Sequence, residues 1–168
     1  MKLPEAFSED LNLNAIIETP RGSRNKFDYD ADFNLFKLKK VFPAGTNLPF
    51  PMGFIPQTKG EDGDPLDVFV LTEDATYPGC LIESRLIGVI KARQSDVDGT
   101  VIRNDRFLAV PTASKELENI TDIAMFDQQK LQSLIDFCIY YNKCEGKQFE
   151  VIAVGDADDA LGTIRNGM

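Results

Sequence analysis

Three aspartates are crowded into one short stretch of the sequence, residues 60–68. They are Asp62, Asp64 and Asp67, and glycine and proline separate them before the apolar run 68–71 begins. Carboxylates at such close quarters repel one another unless a positive charge offsets them. A hard divalent cation, which prefers oxygen ligands, is the simplest such charge.

Three interpretations of this acidic turn compete. Asp, Gly and Pro are common turn residues, so the stretch could be a solvated surface turn without chemistry. An EF-hand calcium loop fails, because Leu66 stands where that loop needs an oxygen ligand and Asp67 where it needs a glycine. The third interpretation is a Mg²⁺ site at the rim of a small barrel, where the carboxylates share the ion with substrate phosphates.

The composition narrows the classes of function. A formal net charge of −9 and a pI near 4.5 oppose binding to nucleic acid or to an anionic membrane surface. Histidine is absent, which excludes histidine-dependent triads and histidine-ligated zinc. The three cysteines show no C-x-x-C spacing, and we find neither a signal peptide nor a membrane span, so we expect a cytoplasmic protein.

The hydrophobic pattern predicts a mainly β protein. Its length of 168 residues predicts one domain over residues 1–168. Period-two alternation and turn residues predict strands, and an Asp-Gly turn at 96–99 predicts a hairpin. A period near 3.6 predicts a helix from Asp127 to Asn142, and a second helix covers 156–165. The predicted strands are 13–18, 26–30, 35–42, 68–71, 81–91, 100–102, 107–110 and 149–154, with an irregular loop at 48–56.

The acidic turn resembles the motif Asp-Gly-Asp-Pro-hydrophobic-Asp-Val of the soluble inorganic pyrophosphatases. Six further segments resemble that family in the same order along the chain, and the resemblance covers most of its length. These segments are 17–20, 26–28, 53–56, 85–89, 106–111 and 141–142.

The resemblance implies a fold and an activity. The implied fold class is α+β, mainly β: an OB-like, closed five-stranded barrel with flanking helices. The implied activity is hydrolysis of pyrophosphate to two phosphates with several Mg²⁺ ions, for which Mn²⁺ is an expected substitute. Neither nucleic acid nor membrane is an expected partner, and bacterial members of the family suggest a homohexamer.

The resemblance also implies roles for particular residues. Asp67 is the expected base, which accepts a proton from the attacking water, and Tyr141 is the second expected catalytic residue. The expected substrate-binding residues are Lys26, Asp28, Lys40, Arg106 and Lys143. The expected metal ligands are Glu18, Asp62, Asp64, Asp67 and Asp105.

Part of the expected site departs from the family pattern. Asp28 stands where glutamate is usual, Lys40 where arginine is usual and Arg106 where lysine is usual. Met52 and Asn142 replace a substrate-facing tyrosine and lysine, with Lys143 or Lys147 as stand-ins for the latter.

A second acidic cluster of the family is altered in this chain, because the expected carboxylates are missing or shifted by one residue. Asn104, Asp105 and Asp96 compete to complete it, and strand alternation places Asn104 on the face of Arg106. Two functions therefore stay open: a pyrophosphatase, and a metal- and phosphate-binding module of the same fold with weakened catalysis. Nucleic-acid binding through an OB-like barrel is a third idea, which the net charge opposes.

Overall fold

The structure is a computed structural model that describes residues 2–166. Its helices are α1 (Gln128–Cys144) and α2 (Ala157–Asn166), and a short 3₁₀ turn lies at Ile123–Met125. The strands are β1 (Leu13–Thr19), β2 (Asn25–Asp30), β3 (Leu35–Val41), β4 (Met52–Phe54), β5 (Asp67–Val70), β6 (Leu81–Ser95), β7 (Val101–Arg103), β8 (Arg106–Pro111) and β9 (Gln148–Gly155).

Five strands pair in a closed ring. The ring order is β1, β4, β5, β8 and β6, and β6 pairs again with β1. All of these pairs are antiparallel except β5 with β8, which is parallel. The five-stranded barrel with flanking helices is therefore confirmed.

Strand β6 is long enough to join several parts of the sheet. It has 15 residues, and its pairing partners are β1, β7, β8 and β9. The predicted end at residue 91 was wrong, because pairing with β7 and β9 carries the strand on to Ser95. The predicted hairpin turn at 96–99 is confirmed by the antiparallel β6–β7 pair and by Gly99, whose φ is +86°.

The sequence of strand β8 is continuously apolar from 107 to 110 because both faces of the strand are buried. Phe107 and Ala109 lie in a core cluster that also holds Ala160 and Ile164 of α2. Leu108 lies in a second cluster that holds the buried face of α1. Both faces of the strand are thus covered, so no position from 107 to 110 is free to be polar.

The irregular loop predicted at 48–56 was partly wrong, because Met52–Phe54 forms strand β4. The prolines around it hid the strand from the sequence pattern. A Cβ added to Gly53 would lie 1.9 Å from the backbone oxygen of Ile16. Glycine therefore allows β4 to lie against β1 and complete the ring.

Helix α1 begins where the sequence predicts. The carboxylate of Asp127 accepts hydrogen bonds from the backbone N–H groups of Gln129 and Lys130, at 2.9 and 3.1 Å. Past its end, Gly146 has a φ of +73°, which favours glycine. None of the helices within residues 2–166 is long and apolar enough to span a membrane.

Replacement of Gly53 by alanine tests the closure of the ring. We expect Gly53→Ala to lower the free energy of unfolding by about 3 kcal/mol, because neither β4 nor β1 can move away without loss of pairing. Gly162→Ala is the matched control, since nothing lies within 4 Å of the added Cβ and helix propensity favours alanine by about 1 kcal/mol. Urea unfolding of both variants would contradict this account if Gly53→Ala were as stable as Gly162→Ala.

Candidate active site

The acidic turn opens onto a cavity of about 580 Å³. Its walls come from the end of β1, the β2–β3 hairpin, β4, the acidic turn, the end of α1 and the residues after it, and parts of β6 and of the segment that leads into β8. Six carboxylates and five cationic side chains line it: Glu18, Asp28, Asp62, Asp64, Asp67 and Glu145, with Lys26, Lys39, Lys40, Arg106 and Lys147.

Backbone hydrogen bonds close the acidic turn. The N–H of Gly60 donates to the carbonyl of Asp64 at 2.7 Å, and the N–H of Asp64 donates to the Asp62 carboxylate at 3.1 Å. Gly63 has a φ of +89°. Asp62 and Asp64 remain exposed, while Asp67 is half-buried at the start of β5.

Asp67 is held by Arg106. Parallel pairing of Val68 with Phe107 starts β5 and β8 side by side, which brings the preceding residues of the two strands together. A guanidinium nitrogen of Arg106 lies 2.6 Å from the Asp67 carboxylate, and only 7% of the Arg106 side chain is exposed. The guanidinium also lies over the ring of Phe149, at 5.4 Å.

The β2–β3 hairpin contributes a second charged group. Lys26 forms an ion pair with Asp28, and Lys39 lies 3.3 Å from the same carboxylate. Burial alone would raise the pKa of Asp28, but the two lysines outweigh it and hold the pKa below its usual value. Burial also opposes the charge of Lys26, yet Asp28 and Asp67 raise its pKa above the usual value.

The end of α1 contributes a third group. Tyr141 is stacked on Phe137 and meets the edge of Phe42, with ring centroids 5.9 and 5.3 Å apart. The ammonium of Lys40 lies 4.5 Å from the centre of the Tyr141 ring and forms an ion pair with Glu145. Burial raises the pKa of Tyr141, with a further rise from Glu145, so the phenol stays protonated and can donate a hydrogen bond.

Glu18 is the most deeply buried carboxylate of the cavity wall, with 9% of the residue exposed. It accepts a hydrogen bond of 2.7 Å from the backbone N–H of Tyr29. Burial raises the pKa of Glu18 to about 7, although this hydrogen bond and Lys26 both favour the charged form. Positive charge brought near Glu18 would relieve that penalty.

We call the side of the cavity formed by Glu18, Asp62, Asp64 and Asp67 the acidic wall. It has the chemistry of a site for a hard cation. Within residues 2–166, no three carboxylate or thiol side chains converge into a ready-formed ion site. The four carboxylates of this wall nevertheless supply only oxygen donors, which suit Mg²⁺. Their donor set therefore fits such an ion.

Two of the predicted site residues lie elsewhere. The carboxylate of Asp105 accepts from the N–H of Ala92 at 3.0 Å and pairs with Arg103 at 2.7 Å, so it does not line the cavity. Lys143 is exposed on α1 and is not part of the lining, whereas Lys147 is. The prediction that Asn104 shares the face of Arg106 is confirmed, because their side chains are hydrogen-bonded.

Sequence reasoning missed Glu145 and Lys39. Glu145 follows Tyr141 by four residues at the end of a helix, and that spacing places both on one face. This four-residue spacing could have identified Glu145 from the sequence. Lys39 lies on the β3 strand that pairs with β2, and only the pairing register brings it to Asp28.

The chain matches one protein family along most of its length. A sequence model described as inorganic pyrophosphatase matches residues 15–168. The inorganic pyrophosphatase of Haloferax volcanii is 37% identical over 157 residues, which cover 93% of this chain and 86% of the relative. The inorganic pyrophosphatase of Sulfolobus acidocaldarius is 34% identical over 168 residues, with 98% and 94% covered.

A solved structure agrees with these relatives. The crystal structure of inorganic pyrophosphatase from Thermus thermophilus superposes with a TM-score of 0.87 at 32% sequence identity. The superposition covers 99% of this chain and 94% of the other.

The buried Glu18 makes the stability of the metal-free protein depend on pH. Its raised pKa means that the folded protein binds this proton more tightly than the unfolded chain does. The stabilisation is complete below the ordinary pKa of 4.5 and is lost as the pH rises through about 7. The loss for this group is about 3 kcal/mol.

Glu18→Gln should remove this part of the pH dependence. We expect the variant to be more stable than the natural protein at about pH 8, and this gain to disappear near pH 4. Urea unfolding with a chelator present measures the effect, and Glu9→Gln at an exposed position is the control. An unchanged pH dependence in Glu18→Gln would contradict the assigned burial penalty.

Proposed function

The chain belongs to the inorganic pyrophosphatase family, and we propose that it hydrolyses pyrophosphate to two phosphates in the cavity described above, with Mg²⁺ as its cofactor. The main support for this proposal is the set of side chains that line this one cavity. Oxygen ligands for a cation and cationic groups for phosphoryl oxygens line the same space, and Arg106 joins the two sets through Asp67.

The acidic wall is the proposed metal site. Glu18, Asp62, Asp64 and Asp67 would hold Mg²⁺, and Mn²⁺ is the proposed substitute. When bound, the ion would lower the pKa of a water and offset charge on the phosphoryl oxygens. Asp105 is not part of the proposed ligand set, because its carboxylate is engaged by Arg103.

Three cationic side chains would bind the two phosphoryl groups. Lys26 and Lys40 are buried enough to interact strongly with an anion, and Arg106 can donate to two oxygens at once. Each of them is paired with a carboxylate of the cavity lining. Of the two alternative stand-ins Lys143 and Lys147, Lys147 would assist them, since it lines the cavity.

Two residues have proposed catalytic roles. Asp67 would accept the proton of the attacking water, and its carboxylate is held in place by Arg106. Tyr141 would donate a hydrogen bond to a phosphoryl oxygen, because its raised pKa keeps the phenol protonated. The cations would offset the charge that builds on the leaving phosphate.

A second candidate function is binding of pyrophosphate without turnover. It is favoured by the amides Gln94 and Asn104, which line the cavity where the family pattern leads us to expect carboxylates. A purified protein that binds pyrophosphate with metal but releases no phosphate would support this function against hydrolysis.

A cytoplasmic homohexamer is the proposed state of the protein. Its three cysteines are unpaired, as is usual in a reducing compartment.

On β9, the apolar side chains of Ile152 and Val154 are 53% and 41% exposed, which suits burial against a further copy. Sedimentation equilibrium that showed only monomer at micromolar concentration would contradict the assembly.

Asp67→Asn tests the proposed base. The amide keeps the size of the side chain but cannot accept the proton, so phosphate release should fall at least about 100-fold. The assay is release of phosphate from pyrophosphate with Mg²⁺ in excess. Asp10→Asn makes the same change at an exposed position outside the cavity and should leave the rate unchanged; a rate for Asp67→Asn equal to that of this control would exclude Asp67 as the base.

A further inference from the structure

The wall of the cavity beside Arg106 is built from amides. Gln94 lies on β6 with 8% of the residue exposed, and Asn104 lies between β7 and β8. The side-chain nitrogen of Asn104 donates to the side-chain oxygen of Gln94 at 3.0 Å. We call this pair the amide wall.

The amide wall contacts the same guanidinium nitrogen of Arg106 that pairs with Asp67. A guanidinium nitrogen of Arg106 donates to the side-chain oxygen of Asn104, and the same nitrogen contacts the Asp105 carbonyl at 3.1 Å. Gln94 in turn fixes which way the Asn104 amide faces. One continuous set of contacts therefore runs from Gln94 through Asn104 and Arg106 to Asp67.

Carboxylates of the neighbouring sequence do not reach the amide wall. Asp105 is turned to Arg103 and to the N–H of Ala92. Asp96 pairs with Lys147 at 3.1 Å and does not line the cavity. The cavity thus has the carboxylates of the acidic turn on one part of its lining, while the amide wall is uncharged and contacts the guanidinium of Arg106.

This arrangement does not suit a divalent cation. The acidic wall has four carboxylates to offset the guanidinium of Arg106, whereas the amide wall has none, and the side-chain oxygen of Asn104 is already engaged by that guanidinium. Neutral amide oxygens are also weaker ligands for Mg²⁺ than carboxylates are. The same arrangement suits an anion, because the amide wall adds no negative charge beside the guanidinium of Arg106.

We infer that Asn104 is a positioning residue, which together with Gln94 fixes Arg106 for phosphate binding and confines cation binding to the acidic wall. The inference rests on the proposed function. It deepens that function by assigning the two sides of one cavity to different ligands: metal at Glu18, Asp62, Asp64 and Asp67, and phosphoryl oxygens at Arg106. An aspartate at position 104 would both neutralise Arg106 and offer a ligand.

Asn104→Asp tests the confinement of cations. Its carboxylate can still accept from Arg106, and Gln94 can turn its amide to donate, so the fold should be kept. We expect the variant to bind one further Mn²⁺ per chain, or to bind Mn²⁺ at least about tenfold more tightly, since it adds a charged oxygen ligand. Free Mn²⁺ measured by electron paramagnetic resonance during titration gives both numbers.

Asn119→Asp is the matched control. This asparagine is exposed in the loop after β8 and does not line the cavity, so the variant carries the same change in charge elsewhere. It should bind Mn²⁺ as the natural protein does. Equal Mn²⁺ binding by Asn104→Asp and the natural protein would overturn the inference.

Asn104→Leu tests the positioning of Arg106. The leucine keeps a similar volume but cannot bond to Arg106 or Gln94. We expect affinity for imidodiphosphate, a non-hydrolysable analogue, to fall about tenfold, because a hydrogen bond to a charged group is lost. Mn²⁺ binding should stay unchanged; a loss of Mn²⁺ affinity would identify Asn104 as a ligand and overturn the inference.

These measurements separate the inference from the proposed function. Binding of Mn²⁺ and of imidodiphosphate requires no turnover. A natural protein that binds both as expected but releases no phosphate would contradict only the proposed hydrolysis. A natural protein that releases phosphate, with Asn104→Asp unchanged in Mn²⁺ binding, would contradict only the inference.

Discussion

The ion pair between Asp67 and Arg106 joins the fold to the site. Both residues stand first in their strands, and the parallel register that pairs Val68 with Phe107 sets them side by side. A half-buried carboxylate and a buried guanidinium at 2.6 Å each need the other, because an uncompensated charge at this position would be costly. The closed ring thus fixes the distance between the acidic wall and the cationic groups.

The other cationic side chains of the cavity are also paired with carboxylates. Lys26 is paired with Asp28 and Lys40 with Glu145, and six carboxylates face five cationic side chains in the lining, so the charge of the cavity is nearly balanced. A phosphate ligand alone would have to compete with these carboxylates for the cationic side chains. A divalent cation at the acidic wall would draw on Asp67 and leave Arg106 freer to contact phosphate, which gives metal and phosphate a physical reason to bind together.

Features set by local sequence were predictable, and features set by long-range contacts were not. The acidic turn and the cap of α1 at Asp127 depend on neighbours within a few residues. Strand β4 was hidden because its role depends on the backbone of Ile16, which is distant in sequence from Gly53. The pairing of Lys40 with Glu145 joins residues 105 positions apart, so no local pattern encodes it.

A phosphate-release assay asks most directly whether this cavity joins a metal site to a phosphate site. The purified chain is treated with a chelator and is then titrated with Mg²⁺ in the presence of pyrophosphate. We expect no release without metal and a saturable return of activity as Mg²⁺ is added. Absence of release across both Mg²⁺ and Mn²⁺ titrations, or equal release with the chelator in excess, would contradict this account of the cavity.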